Sequence, residues 1–363
     1  MRSPSLLLPV GHDELSAFAA EVFSAVPRAD QRRWAEVYLR GLLLLEGRKS
    51  VRKIAESTLS LPVSQSLQQF INQSPWEWAT VRECLSHYVG ERTGPRAWVV
   101  NRAVMPKRGE RSVGVQQRFV PELGRTINCQ VGIGIFLADE KGAIPVNWRI
   151  LLSGKWESDE DARAKAYVPD SVTARPEAVE IAELAAELAL DWSLPVRPVV
   201  ADAAHCDAAA LARGLDELGL DFVLGVDGRT VQQWLGPGEP AAPGPSSAWT
   251  TLPAPDGRRA GVPVQVIRGG PGRDHRAPQF WITSLLHHRV DAVLQLAALE
   301  ARSRASVQAM ESDFGLRDFE GRSFRGWHHH MTMVSSAFAF SRLSKGPLSR
   351  DGSPSSLSHR WIS

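Results

Sequence analysis

The sequence is poor in cysteine, which limits how the chain can be stabilised. Its 363 residues include three cysteines, and Cys84, Cys129 and Cys206 lie far apart in the chain. An odd number of widely spaced cysteines argues against a disulfide framework. Hydrophobic residues make up 43% of the chain, enough for one large core or two smaller ones. We therefore expect a reduced, cytoplasmic protein that folds around a hydrophobic core.

Long hydrophobic runs are also missing. The apolar run from Leu6 to Val10 is far shorter than the roughly 20 residues of a membrane span. Only one basic residue, Arg2, precedes it, so it is also a poor signal peptide. We expect no membrane partner.

The chain has little net charge, but its basic residues are unevenly distributed. A net charge of +2 gives no overall field that would attract nucleic acid. Two local clusters are strongly basic: Arg48, Lys49, Arg52 and Lys53, and then Arg102, Lys107, Arg108, Arg111, Arg118 and Arg125. Such clusters are typical of phosphate-binding surfaces, although ordinary solvated surface explains either cluster equally well.

The first part of the chain has a helical pattern. Apolar residues recur at helical spacing in several short segments between residues 12 and 92, with Gly47 and Ser74-Pro75 as breaks. We predict an N-terminal helical domain over residues 1–92. This domain either includes a helix-turn-helix motif that recognises DNA or is a plain helical bundle. The spacing of apolar residues does not distinguish the two.

The remaining chain alternates strands and helices. Three strands are predicted at 97–101, 128–136 and 143–152, and further strands at 196–202 and 221–226 are separated by helices. This order predicts a mixed α/β sheet with helices on both faces, over residues 95–345. Residues 235–263 are rich in Pro, Gly, Ala and Ser and are interpreted as a loop or inserted segment, and 346–363 as a flexible tail. Asn101 and Asp202 end strands that we expect to be neighbours at the sheet's carboxyl edge.

Several segments resemble one protein family. They are RWAEVYLRGLLL (33–44), QQFINQSPW (68–76), VGVQQRF (113–119), NCQVG (128–132), PVNWR (145–149), VADA (200–203) and DFEGRSFRGWHHH (318–330). Together they resemble the DDE insertion-sequence transposases of the group numbered 701, over residues 33–343. The resemblance implies cut-and-paste DNA transposition by a ribonuclease-H-like domain, in which three carboxylates hold two Mg²⁺ ions. Two such cations stabilise the attacking and leaving oxygens of a phosphodiester, and Mg²⁺ prefers oxygen ligands.

The first-strand motif departs from the family pattern. In the family that this chain resembles, the first-strand motif looks like two apolar residues followed by DDTGFPK. This chain has VVNRAVMPK at the corresponding residues 99–107. Asn101 and Arg102 stand where the family has aspartates, which should weaken binding of a divalent cation. We expect that restoring an acid at position 101 would also require replacing Arg102.

The second carboxylate matches Asp202, although a strand-end aspartate that caps the next helix is an alternative. The family's third carboxylate is a helical glutamate, and counting back from Gly315 reaches Arg304. The alternatives for the third position are then Glu311 on the same helix, Glu320, or no residue at all. Of the two glutamates we favour Glu311, so that Asp202 and Glu311 are the predicted metal ligands and Asn101 the degenerate catalytic position.

Consecutive histidines at 328–330 suggest a metal site at first sight. Successive helical residues point about 100° apart, so three in a row do not share one ion. We expect one of them to pack on Trp327 and the others to lie near DNA or the active-site rim.

The resemblance also implies double-stranded DNA as the partner. The predicted DNA-binding residues are Lys107, Arg108, Arg111, Arg118, Arg322 and Arg325. Two functions stay open: a transposase, impaired in strand cleavage, or a domesticated relative that acts as a DNA-binding or regulatory protein. A homodimer is one option for the assembly, and a nucleoid-associated location follows from DNA binding.

Overall fold

The structure, a computed structural model, describes residues 14–58, 64–120, 123–235, 247–252, 261–269 and 280–344. Five helices come first: α1 (Glu14–Val22), α2 (Ala29–Leu44), α3 (Val51–Thr58), α4 (Ser64–Asn72) and α5 (Trp78–Thr93). α5 ends at Gly94, whose φ of 62° is a left-handed conformation that glycine adopts without a steric penalty. The prediction of short helices before residue 93 is confirmed for the described residues.

The sheet has nine strands among the residues that the structure describes. They are β1 (Ala97–Pro106), β2 (Gln116–Val120), β3 (Arg125–Ala138), β4 (Ala143–Ile150), β5 (Val199–Asp202), β6 (Phe222–Val226), β7 (Ser247–Leu252), β8 (Val262–Arg268) and β9 (Phe280–Thr283). Their order is β2-β3-β1-β5-β6-β9-β8-β7, and β4 also pairs with β3. β1, β3 and β4 form an antiparallel meander, and β5 and β6 run parallel to β1. This arrangement is the predicted ribonuclease-H-like mixed sheet.

Helices connect and cover the sheet. The later helices are α6 (Lys155–Ser158), α7 (Glu160–Lys165), α8 (Glu177–Ala186), α9 (Ala208–Glu217), α10 (Gly228–Leu235), α11 (Val290–Ala297), α12 (Leu299–Asp313) and α13 (Phe324–Leu343). α8 continues into a π-helical turn over Glu187–Asp191. The helix expected over 290–314 is therefore two helices, α11 and α12. None of the helices in the described ranges is both long and apolar enough to cross a membrane.

One strand is longer than predicted, and one segment interpreted as a loop or inserted segment contains a strand. We expected the first strand to end at Asn101, but β1 continues to Pro106 because it keeps pairing with β3 after its pairing with β5 stops at Val100. The segment 235–263 was interpreted as a loop or an inserted segment, and it contains β7, which pairs with β8 and buries Leu252 completely, so it is not a loop throughout. Residues 236–246, 253–260 and the predicted tail at 346–363 lie outside the described residues.

α13 lies at the centre of the protein and packs against the sheet and against α2, α4 and α5. Its Trp327 lies on β3 at Gly132, where a Cβ atom would be 3.0 Å from the Trp327 ring. Gly134 is covered in the same way by Trp148 of β4, at 2.7 Å. The glycines of β3 therefore leave room for two tryptophan rings that fill the core.

The three consecutive histidines of α13, which we call the histidine triplet (residues 328–330), are all buried. His329 stacks on Trp76 with ring centroids 3.7 Å apart, and its two nitrogens each lie 2.9 Å from a carbonyl oxygen, of Ile71 and Trp76. His330 lies 3.0 Å from the Tyr38 hydroxyl. The triplet thus joins α13 to the N-terminal helices. The expectation that two of these histidines lie near DNA or the active-site rim was wrong.

A buried arginine connects α5 with α13 and β4. Arg82 is 1% exposed and donates hydrogen bonds to the Trp148 carbonyl at 2.8 Å and to Asn147 Oδ1 at 3.1 Å. It also donates to Thr332 Oγ1 at 2.8 Å and to the His328 carbonyl at 2.9 Å. Burial lowers the pKa of Arg82 to about 9. The five N-terminal helices and the sheet are consequently held by one core rather than by a linker.

Candidate active site

Asn101 and Asp202 lie next to each other on adjacent parallel strands. The register pairs Val100 of β1 with Ala201 of β5, so that the next residues of the two strands are neighbours. Adjacent strands are about 5 Å apart, well within the distance that two bridged cations span. The predicted adjacency of these two residues is confirmed, although Asn101 is in the middle of β1 rather than at its end.

Asp202 does not cap the helix that follows. Its Oδ1 accepts a hydrogen bond from the Ala204 amide at 3.0 Å, whereas Asp207 caps α9 by accepting from the Ala210 amide at 2.9 Å. The capping alternative for Asp202 was therefore wrong. Its carboxylate is held at the end of β5, beside Asn101.

α12 places a glutamate against Asn101. Glu300 lies in the first turn of α12 and is 4% exposed. The Asn101 amide nitrogen donates to Glu300 Oε1 at 3.3 Å and to Ser303 Oγ at 2.9 Å. Asn101 Oδ1 in turn accepts from the Arg102 backbone amide at 2.7 Å. Glu300 of α12 therefore contacts Asn101, whose neighbour on β5 is Asp202.

Glu300 was missed in the sequence because counting back from Gly315 reached Arg304. The two residues are four apart, so they share one face of the helix, one turn from each other. Arg304 Nη2 forms an ion pair with Glu300 Oε2 at 2.8 Å. An acidic residue one turn before the counted position was the signal that could have identified Glu300.

The predicted third acids lie elsewhere. Glu311 is eleven residues beyond Glu300 on α12, about 16 Å at 1.5 Å per residue, and pairs with Arg317 at 2.7 Å. Glu320 pairs with Arg48 at the surface, at 2.6 Å. The structure does not bring either glutamate into contact with Asn101.

Arg102 lies on the opposite face of β1 from Asn101, because successive strand residues alternate. It forms an ion pair with Glu177 of α8 at 3.2 Å. Burial raises the pKa of Glu177, while Arg102 and then Arg118 act in the opposite direction. The expectation that Arg102 stands beside the metal position was therefore wrong: its charge is directed to α8.

The residues at this site do not fit a pair of divalent cations. Within the described part of the chain, no group of three or more His, Cys, Asp or Glu side chains could hold a metal ion. The site offers two carboxylates, and both oxygens of one of them already accept from Asn101 and Arg304. A single Mg²⁺ ion is commonly held by one or two carboxylates together with waters, so two carboxylates, one of them already paired within the protein, are too few for a pair of ions.

The predicted DNA-binding residues fall into two groups. Arg108, Arg111 and Arg322 are exposed. The first two lie in the segment 107–115 between β1 and β2, which we call the basic loop. The Val113 amide of this loop donates to the Arg322 carbonyl at 3.0 Å, so the loop and the segment before α13 are adjacent. Arg325 is half-buried in the first turn of α13.

Lys107 and Arg118 are engaged inside the protein. Lys107 Nζ donates to the Phe319 carbonyl at 2.7 Å, and burial lowers the pKa of Lys107 to about 8. Arg118 donates to Ser153 Oγ at 2.6 Å, and burial lowers its pKa as well. Both cations have structural partners, whereas Arg108 and Arg111 form no side-chain hydrogen bond or ion pair with the part of the chain that the structure describes.

Comparison with known proteins adds the family. The family described as DDE superfamily endonuclease matches residues 21–260, which include Asn101 and Asp202 but not Glu300. No curated protein matches the chain. The enzymes of this family are transposase-like nucleases that act on DNA and generally depend on a divalent metal ion. The match covers well over half of the chain, and the protein belongs to the DDE superfamily endonucleases.

Proposed function

We propose that this protein is a transposase of the 701 group of insertion sequences that binds double-stranded DNA but is impaired in strand cleavage. One observation carries the proposal: the first acidic position is Asn101, whose amide donates to Glu300 instead of contributing a negative oxygen. A phosphoryl transfer assisted by two Mg²⁺ ions requires carboxylates that hold both ions. Here the carboxylates are reduced to Asp202 and Glu300, and we propose Glu300 rather than Glu311 as the third residue of the site.

A second candidate function is a domesticated relative that acts only through DNA binding. The Arg304–Glu300 ion pair favours it, because it places a cation of the protein itself where cleavage would need one from solution. The two functions differ in whether any cleavage survives. Both retain duplex DNA as the partner and a nucleoid-associated, cytoplasmic location, and both leave a homodimer as the assembly to test.

The first prediction separates binding from cutting. The wild-type protein is expected to bind duplex DNA but to nick supercoiled plasmid no faster than its Asp202→Asn variant, with either Mg²⁺ or Mn²⁺. The reason is that a site with two carboxylates lacks the negative charge to assemble two cations. Plasmid relaxation on agarose gels measures nicking, and fluorescence anisotropy with a labelled duplex measures binding. Cation-dependent nicking that Asp202→Asn abolishes would show that the wild-type site still cuts.

The second prediction concerns the DNA-binding surface. The variant Arg108→Glu/Arg111→Glu is expected to bind duplex DNA at least roughly tenfold more weakly, with a salt slope lowered by about 2, one for each lost phosphate contact. The reason is that both side chains are exposed, whereas Lys107 is bound to the Phe319 carbonyl. Anisotropy titrations between about 50 and 200 mM salt measure both quantities.

A matched control for this variant is available at the other end of α2. Arg28 and Arg33 are exposed and lie at the start of α2, a helix about 24 Å long that ends four residues before the cluster that begins at Arg48. The variant Arg28→Glu/Arg33→Glu changes the net charge by the same amount. If it weakens binding as much as the basic-loop variant, the effect belongs to net charge and not to the loop.

A further inference from the structure

Glu300 is a buried carboxylate whose two oxygens both have donors. Its side chain is 4% exposed, Oε1 accepts from the Asn101 amide and Oε2 from the Arg304 guanidinium. A buried carboxylate is costly unless it is paired and hydrogen-bonded. The two donors satisfy this requirement from within the protein, without an ion from solution.

Asn101 is suited to this arrangement in a way that aspartate is not. Its amide nitrogen donates to Glu300 and Ser303, and its carbonyl oxygen accepts from the Arg102 backbone. An aspartate would place a second carboxylate about 3 Å from the first, and such a pair remains ionised only with a cation between them. The asparagine therefore removes the need for that cation.

Arg304 supplies the positive charge that remains necessary. It stands one helical turn after Glu300, on the same face of α12, and its side chain is 24% exposed. A guanidinium on a helix is present at a fixed distance and is not released by dilution or by a chelator. It thus pairs with Glu300 without an ion from solution.

We infer that Asn101 and Arg304 are a linked pair of positioning residues that make this site independent of divalent cations, and that replacing both together converts it into a divalent-cation site with Asp202 and Glu300. The inference rests on the proposed function only in that it concerns the same residues. Arg304 takes the place that a bound cation would otherwise have beside Glu300. The residue to change together with Asn101 is therefore Arg304 and not, as we expected from the sequence, Arg102. Arg102 is paired with Glu177 on the other face of β1.

Neither single change is expected to create a divalent-cation site. Asn101→Asp adds a carboxylate but leaves Arg304 on Glu300, so that the guanidinium competes with any cation. Arg304→Gln removes the guanidinium but leaves only two carboxylates and an amide. The double variant Asn101→Asp/Arg304→Gln provides three carboxylates without the Arg304 guanidinium, and carboxylate oxygens are the ligands that a hard divalent cation prefers.

The test uses Mn²⁺ alone, without DNA. Thermal unfolding of the full chain is followed in Mn²⁺ and in EDTA, and bound Mn²⁺ is counted from the loss of its free electron-paramagnetic-resonance signal. The wild type and both single variants are expected to melt at the same temperature in both buffers. The double variant is expected to melt about 5 °C higher or more in Mn²⁺, as saturating ligand binding predicts. Adding Asp202→Asn to the double variant should abolish the shift.

Two further variants control for charge and for folding. Arg302 is an exposed arginine on the same helix, so Asn101→Asp/Arg302→Gln has the same net charge as the double variant and should not respond to Mn²⁺. Asn101→Asp/Arg304→Lys keeps a cation at the site and should not respond either. If the double variant is unfolded in EDTA, folding on addition of Mn²⁺ supports the inference and failure to fold in both buffers overturns it.

Other outcomes that overturn the inference are a wild type stabilised by Mn²⁺ as much as the double variant, or a folded double variant without any Mn²⁺ response. Because the assay contains no DNA, its result is independent of whether the wild type cuts plasmid. A nicking wild type would refute the proposed impairment, and a Mn²⁺-binding wild type would refute the cation independence of the site.

Discussion

Replacing Arg82 with methionine is expected to lower the free energy of unfolding by about 3–5 kcal/mol, the largest effect of any single change considered for this protein. The Arg82 side chain donates to Asn147, Trp148, Thr332 and His328 in a fully buried position. Methionine fills similar volume but donates to none of these groups. A buried acceptor left without any donor costs about 1–3 kcal/mol, whereas Asn147 Oδ1 keeps the Trp148 amide and the His328 carbonyl keeps the Thr332 hydroxyl as donors.

The cost of burying the charge of Arg82 reduces the destabilisation expected for Arg82→Met but does not cancel it. Burial lowers the pKa of Arg82 to about 9, which shows that the protein holds the charged guanidinium at a cost. Methionine removes that cost. Because several acceptors are lost together, the loss of hydrogen bonds outweighs the relief, and the variant is destabilised.

Urea denaturation followed by tryptophan fluorescence measures the change. Arg92→Met is the matched control, because Arg92 is on the same helix but is 38% exposed at the side chain and lies over the Tyr88 ring at 3.6 Å. It should cost less than about 1 kcal/mol. Equal losses in the two variants would mean that the buried hydrogen bonds of Arg82 contribute nothing to stability.

Acidification below pH 6.5 is expected to destabilise the protein steeply through the histidine triplet. Burial lowers the pKa of His329 to about 3 and of His330 to about 4, and lowers that of His328 well below its ordinary value. A histidine with a lowered pKa in the folded state binds its proton more readily when unfolded. Its contribution is therefore fully present above the unfolded pKa of about 6.5 and is lost as the pH falls from there toward 4.

The slope can be assigned to the triplet by mutation. Each of these histidines adds up to about 1.4 kcal/mol per pH unit over that range. Urea denaturation at pH 7, 5.5 and 4.5 measures the slope for the wild type and for His330→Gln, which should be less stable at pH 7 but have a shallower slope. His288→Gln, at an exposed position, is the control and should keep the wild-type slope. A His330→Gln slope as steep as that of the wild type would contradict the assignment.

Part of the site could be predicted from the sequence because strand ends are marked by composition. The apolar runs before Asn101 and Asp202 locate both residues on strands, and the order of elements makes those strands neighbours. The alternation of side chains along β1 places Asn101 and Arg102 on opposite faces of the strand. The error about Arg102 came from treating neighbours in sequence as neighbours in space.

The third position could not be predicted by counting, because a helix presents the same face at several residues. Glu300 and Arg304 lie on the same face of α12, one turn apart, so the count reached the right face at a residue that is not acidic. The same limit applies to the basic residues. Nothing in the sequence separates Lys107, which binds the Phe319 carbonyl, from the exposed Arg108 next to it.

The position of α13 has a consequence for how the chain is synthesised. α13 is the last described helix, yet it supplies the surface on which the first helices pack, through contacts such as Tyr38 with His330, 292 residues apart. The apolar faces of α2, α4 and α5 therefore stay uncovered until residues near 343 leave the ribosome. A chain that ends before that point lacks the surface on which the first helices pack, and we expect it to be exposed to chaperones and proteases.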